Sequence, residues 1–242
     1  MKKTIYGFLV ILAMFAYSCE KDNYPGPDAQ ISGNILDQNG KPLQTQQGSG
    51  NMRIKMEELS WAGDDPSIAI TPTYLNMRQN GTYTNTKMFS GTYRMTPVEG
   101  PFYPYDAEGE IVEINGPVIK DFTVIPYLDV EWVQEPAVTP DNFITATIRF
   151  KRNSKDGVAK PDLNNALLCV ATTQYVGNNN YDSQLSGTVS IRNDQEGTDI
   201  QLKTTRAVKY TNATYYVRVG VCCNDANKKY NYTTITKLKI EN

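Results

Sequence analysis

Apolar positions follow two patterns along the chain. Residues 5–16 form one unbroken apolar run behind Lys2 and Lys3. Beyond residue 28, short apolar and polar stretches alternate and are interrupted by Gly, Pro, Asn and Asp. A period of two sets one side of a strand against a core and the other in water. The cleanest example is Ile144-Thr145-Ala146-Thr147-Ile148-Arg149-Phe150, where Ile144, Ala146, Ile148 and Phe150 share a face. Met52, Ile54 and Met56 likewise alternate with Arg53, Lys55 and Glu57. The pattern predicts strands over 31–36, 52–59, 73–77, 80–83 and 89–95, with a hairpin starting at Asn39-Gly40. Gly40, Gly81 and Gly91 are expected to take positive φ where strands reverse. Seven further runs follow, over 128–133, 143–150, 167–175, 186–192, 199–204, 215–222 and 232–240. Only residues 161–166 suggest a helical turn.

These runs fall into two groups with a break near residues 126–128. Residues 19–28 carry Pro25-Gly26-Pro27 and no periodic apolar pattern, so they read as a tether. The expected organisation is a leader over 1–18, a tether over 19–28, a β-sandwich over 29–126 and a second β-sandwich over 127–242. Seven short strands at regular spacing suggest an immunoglobulin- or fibronectin-like second domain. Sixteen tyrosines, with abundant Thr, Val and Ile, favour strands over helices and support an all-β fold. The length can bury two ordinary cores or one large one.

The leader is too short to span a hydrocarbon core, which needs about 20 apolar residues, and it is expected to be removed. Phe15-Ala16-Tyr17-Ser18-Cys19 resembles a bacterial lipoprotein signal, with Ala16 where Leu is usual and Tyr17 where a small residue is usual. Glu20-Lys21-Asp22 resembles the surface-export signal of Bacteroidetes lipoproteins. These resemblances imply cleavage before Cys19, lipidation of Cys19, and a place on the outer membrane facing the cell exterior. An ordinary signal peptide cut near Ser18 is the alternative.

Ile31-Ser32-Gly33-Asn34-Ile35-Leu36-Asp37, followed by Asn39-Gly40-Lys41-Pro42-Leu43, Asn80-Gly81-Thr82-Tyr83 and Ser90-Gly91-Thr92-Tyr93, resembles a carboxypeptidase regulatory-like domain. That resemblance implies a transthyretin-like sandwich without catalytic residues of its own. The full layout resembles a family of uncharacterised Bacteroidetes lipoproteins whose genes commonly lie beside those of SusC-like and SusD-like glycan-uptake proteins. It implies that SusC/SusD-like proteins are partners.

The chain contains no histidine, which excludes Ser-His-Asp and Cys-His catalysis. The pairs Glu57-Glu58 and Asp64-Asp65 point to opposite faces of a strand and cannot flank one bond. No nucleotide-binding motif occurs, no cofactor is implied and no metal site is expected, since adjacent cysteines lack zinc spacing and the loop 177–182 lacks spaced carboxylates. Without the two leader lysines the charge is about −4, which argues against nucleic acid as a partner. Cys169 and Cys222 read as inward strand positions that either pair across a sandwich or remain buried thiols, and with Cys223 the count is odd.

Sugar rings stack on aromatic faces while polar side chains take their hydroxyls. Trp61, Phe102, Tyr103, Tyr105 and Tyr181, with Tyr175, therefore stand as candidate ligand-binding residues, the alternative being that each packs over a sandwich end or the domain joint. Trp132 follows strand alternation and reads as core. The function expected is a non-catalytic accessory module of a polysaccharide-uptake system. The alternative is a structural or assembly protein of an outer-membrane or adhesive complex with protein partners only.

Overall fold

The computed structural model describes residues 25–63, 65, 67–210 and 212–240. The leader, Cys19 and Asp64 lie outside the described residues. Among the described residues the single helical element is a 3-10 turn, Asn193–Gln195, and no helix is long and apolar enough to cross a membrane.

The first domain contains β1 (Ala29–Leu36), β2 (Arg53–Glu58), β3 (Thr73–Asn76), β4 (Thr82–Met88), β5 (Gly91–Val98), β6 (Glu110–Ile114), β7 (Pro117–Ile119) and β8 (Phe122–Thr123). One sheet runs β4-β1-β7 with β8 also on β1, and the other runs β3-β2-β5-β6. Ile31 and Ile35 from the first sheet meet Ile54, Met56 and Met95 from the second in one core. The turn at Asn39-Gly40 opens a short hairpin, with Asp37 N–H donating to Lys41 O and Leu43 N–H to Ile35 O, both at 2.8 Å, but it does not lengthen into a ladder. The chain makes one bridge, Leu36 to Pro42, and then crosses to the other sheet. Pro42 has no N–H to extend a ladder, and residues 44–51 lack alternating apolar positions. β1 instead pairs with β4 antiparallel and with β7 and β8 in parallel.

Gly81 has a φ of 79°, and a Cβ there would lie 2.6 Å from the Leu43 carbonyl oxygen, so conformation and space both require glycine. Gly91 is different. It opens β5 without a positive φ, and a Cβ there would lie 2.4 Å from Ser60 Oγ, so a larger residue must turn that hydroxyl away from the Thr92 N–H it accepts from.

The second domain contains β9 (Leu128–Val138), β10 (Ile144–Arg152), β11 (Leu163–Ala171), β12 (Gly187–Ser190), β13 (Ile200–Lys203), β14 (Ala213–Cys223), β15 (Tyr230–Tyr232) and β16 (Thr236–Ile240). Its sheets are β13-β10-β9 and β12-β11-β14-β15, with β16 on β14. Ile144, Ala146, Ile148 and Phe150 pack against Leu168, Val170, Val217 and Val219. Residues 163–166, expected as part of a helical turn, belong to β11. A register shift between Leu163 and Asn165 breaks the alternation there. The expected last strand is two, because Thr233 Oγ1 accepts a hydrogen bond from Val219 N–H at 3.0 Å in place of a ladder contact.

The domains are joined by buried side chains as well as by the chain. Phe102 lies in the first core and Tyr103 in the second, so consecutive residues send one ring each way. The surrounding backbone is pinned by Tyr103 N–H to Ile125 O at 2.9 Å and Tyr127 N–H to Pro101 O at 3.0 Å. On the far side of the joint, Arg218 Nη1 donates to Thr45 O at 2.8 Å and the Tyr232 hydroxyl donates to Gln46 Oε1 at 2.9 Å. Asn179 Nδ2 and Lys229 Nζ reach Gln47 O and Gly50 O at 2.7 and 2.6 Å. The polar segment 45–51, which forms no strand, thus serves as the first domain's docking edge.

Candidate functional site

A half-open cleft of about 610 Å³ brings residues of both domains together. Its first wall is the turn after β1. Asp37 shapes that turn by accepting hydrogen bonds from the Asn39 and Lys41 N–H groups, both at 2.8 Å, which leaves the Asn39 and Lys41 side chains projecting without partners among the described residues. The second wall is the start of β9, with Asp129, Glu131 and Trp132, and the third is the link between β15 and β16, with Thr234. Glu131 and Thr234 also have no side-chain hydrogen bond or ion pair among the described residues. Trp132 packs partly on the second core because β9 is the edge of its sheet, which leaves the ring half open to the cleft. Its indole N–H is buried and has no acceptor among the described residues.

The arrangement offers an amide, an ammonium, a carboxylate and a hydroxyl around an indole, within the volume range of small-molecule sites. A hydrogen-bonded joint holds it. Arg218 is fully buried and stacks 3.8 Å from the Tyr232 ring centre; among the described residues it has no carboxylate partner, and Nε and Nη2 have no acceptor. Burial pushes its guanidinium below the ordinary arginine range. The other face of this joint is neutral, since burial drives the Tyr232 hydroxyl well above its ordinary value.

The aromatic residues singled out from the sequence do not converge. Phe102 and Tyr103 are 4 % and 2 % exposed and present no face to a ligand, because each fills a core. Tyr105 is half-buried, its ring edge-on to Phe122, and lines a hollow of about 270 Å³ with Glu110 and Lys155. Burial raises the Glu110 carboxyl, but hydrogen bonds from Lys120 and Tyr105 outweigh that and hold it below its ordinary value. Tyr181 lines a smaller hollow of about 200 Å³ with Asp182 and Tyr215. Trp61 is the most exposed of them, at 74 %, and lines none of these three hollows.

Cys169, Cys222 and Cys223 are free and buried. Cys169 and Cys222 do not face each other across the sandwich. They lie on neighbouring strands of one sheet, with Cys169 opposite Arg218 and Cys222 opposite Asn165, about 13 Å apart along the strand direction. Burial pushes all three thiols up to about 12. No group of three His, Cys, Asp or Glu among the described residues is placed to hold a metal ion.

Sequence reasoning missed Asn39, Lys41, Glu131, Trp132 and Thr234. A usable signal was their position, since Glu131 and Trp132 lie just past the domain boundary and ligand sites favour domain joints.

Among curated proteins, none matches the chain. A DUF3823 family protein from Bacteroides uniformis shares its fold at a TM-score of 0.72 with 24% identity, over 88% of this chain and 100% of that one. A second Bacteroides uniformis protein, described as a "putative carbohydrate binding protein", matches at 0.69 with 25% identity over 89% of this chain and 100% of that one. A DUF3823 family protein from Parabacteroides merdae matches at 0.69 with 20% identity, over 89% and 100%. The family model "Protein of unknown function (DUF3823) N-terminal domain" matches residues 29–125, and "Domain of unknown function (DUF3823_C)" matches residues 133–237. The two models follow one another over most of the chain, which therefore belongs to the DUF3823 family.

Proposed function

We propose that this protein is a non-catalytic carbohydrate-binding lipoprotein, anchored through Cys19 on the outer face of the outer membrane, and that it serves a polysaccharide-uptake system. The observation that carries the reading is the cleft at the domain joint, where Asn39, Lys41, Glu131 and Thr234 have unused hydrogen-bonding capacity beside a half-open Trp132. Sugar hydroxyls take such groups in pairs, and a sugar ring's C–H face packs on an indole. The carbohydrate-binding description of the solved homologue from Bacteroides uniformis supports the same reading. The leader and the Cys19 signal support the location.

Calorimetric titration of the mature protein against a panel of plant and host polysaccharides tests this. At least one is expected to bind, and Glu131→Gln or Asn39→Ala to weaken it about tenfold, the weight of one hydrogen bond near a charge. Absence of binding across the panel, or undiminished binding by both variants, would refute it.

A further inference from the structure

Three segments meet at the end of the first domain where the tether joins. Asp28, the last tether residue, accepts a hydrogen bond from Ser90 N–H at 2.8 Å, and Ala29 pairs with Met88. Leu59 N–H donates to Thr92 O at 2.8 Å, and Thr92 N–H donates to Ser60 Oγ at 3.2 Å. Trp61 follows Ser60 and Phe89 precedes Ser90, so both rings project at this end. They are 74 % and 50 % exposed, with Ile68 of the same loop at 38 %.

We propose that this end is a membrane-contact tip, with Trp61 and Phe89 seated in the headgroup region of the lipid surface. The proposal rests on the reading of Cys19 as lipidated. The chain from Cys19 to Asp28 is nine residue steps and reaches at most roughly 30 Å, so a lipidated Cys19 keeps this end close to the bilayer. An exposed indole and phenyl ring at that distance gain by leaving water, and indoles favour the membrane–water interface. The tip carries Asp28, Glu58, Asp65 and Glu113 against Lys87, so its seating rests on the apolar rings and not on attraction to anionic headgroups. Asp37, at the other end of β1, is about 25 Å away along the strand, so the cleft lies at the opposite end of the first domain from the tip.

The test uses the lipidated mature protein purified from membranes and reconstituted in phosphatidylethanolamine/phosphatidylcholine vesicles containing bromine-labelled acyl chains. Mass spectrometry of the same sample reads the acyl groups on Cys19. Bromolipid is expected to quench the wild-type tryptophan emission. Quenching should be lost in Trp61→Phe, which leaves Trp132 in the distant cleft, and return in Trp61→Phe/Phe89→Trp. An acylated protein whose emission bromolipid leaves unchanged would overturn the tip while leaving lipidation intact. A protein without acyl groups would overturn both. Equal quenching in Trp61→Phe, or a Trp61 response to soluble polysaccharide in place of bromolipid, would also overturn it.

Discussion

Tyr103 belongs by position to the first domain, yet its ring is 2 % exposed within the second domain's core. The ring stands edge-on to Tyr127 with centroids 4.8 Å apart, and its hydroxyl donates to Asn153 O at 2.9 Å. Tyr103→Ala deletes a buried aromatic ring, which costs about 3–5 kcal/mol, of which the ring pair accounts for about 1 kcal/mol. Tyr103→Phe keeps the packing and loses one hydrogen bond, at about 1 kcal/mol. Against a domain stability of about 5–15 kcal/mol, the alanine loss is large. Phe102→Ala should act on the first domain instead, since its ring fills the first core. Urea titration read by hydrogen-exchange mass spectrometry resolves the two sets of strands. Tyr103→Ala is expected to lower protection in β10, β11 and β14 well before β1, β2 and β5. The reasoning fails if Tyr103→Ala leaves the second domain's protection unchanged, or if Tyr103→Phe costs as much as alanine.

Four more outcomes follow from buried groups. Arg218→Met should stay within about 1 kcal/mol of wild type, because losing the bond to Thr45 and the stack on Tyr232 is offset by removing a buried charge that has no carboxylate, whereas Arg218→Ala leaves a void and costs about 3 kcal/mol. Urea midpoints decide it, and equal losses for Met and Ala would show that the charge itself holds the joint. Gly33→Ala puts a Cβ 1.8 Å from the Lys120 carbonyl oxygen in the backbone beside β1, and should cost about 3 kcal/mol, read as a fall in melting temperature. For the thiols, the unfolded chain ionises near pH 8.5 and the folded chain near 12, so their contribution is complete below pH 8.5 and is lost as pH rises toward 12. The urea midpoint is therefore expected to be lower at pH 10.5 than at pH 8. At pH 8 a thiol reagent should find Cys169, Cys222 and Cys223 only after denaturation, and detection of a single thiol then would contradict the free-cysteine arrangement.

What could be read from the chain was what local alternation carries. Ile144 to Phe150 announced its buried face because β10 is regular and central in its sheet, and the same logic gave an all-β protein with tandem sandwiches. The joint was not readable. Phe102 and Tyr103 sit in an aromatic, proline-rich loop that looks like a surface platform, and their division between two cores depends on contacts with Ile125 and Asn153 far along the chain. Trp132 lies in a strand whose alternation marks it as core, but the edge position of β9 leaves part of it open, and edge position is a property of the whole sheet. The relation of Cys169 to Cys222 likewise follows from the register of β11 on β14, which neither strand's own sequence reveals.

Amide shift mapping of the isotope-labelled mature protein, titrated with fragments of whichever polysaccharide it binds, tests sugar binding at the domain joint most directly. The account predicts shifts clustered on Asn39, Lys41, Glu131, Trp132 and Thr234, drawn from both domains. Shifts gathered on Trp61 or Tyr181 with the cleft silent, or no polysaccharide that perturbs any residue, would contradict it.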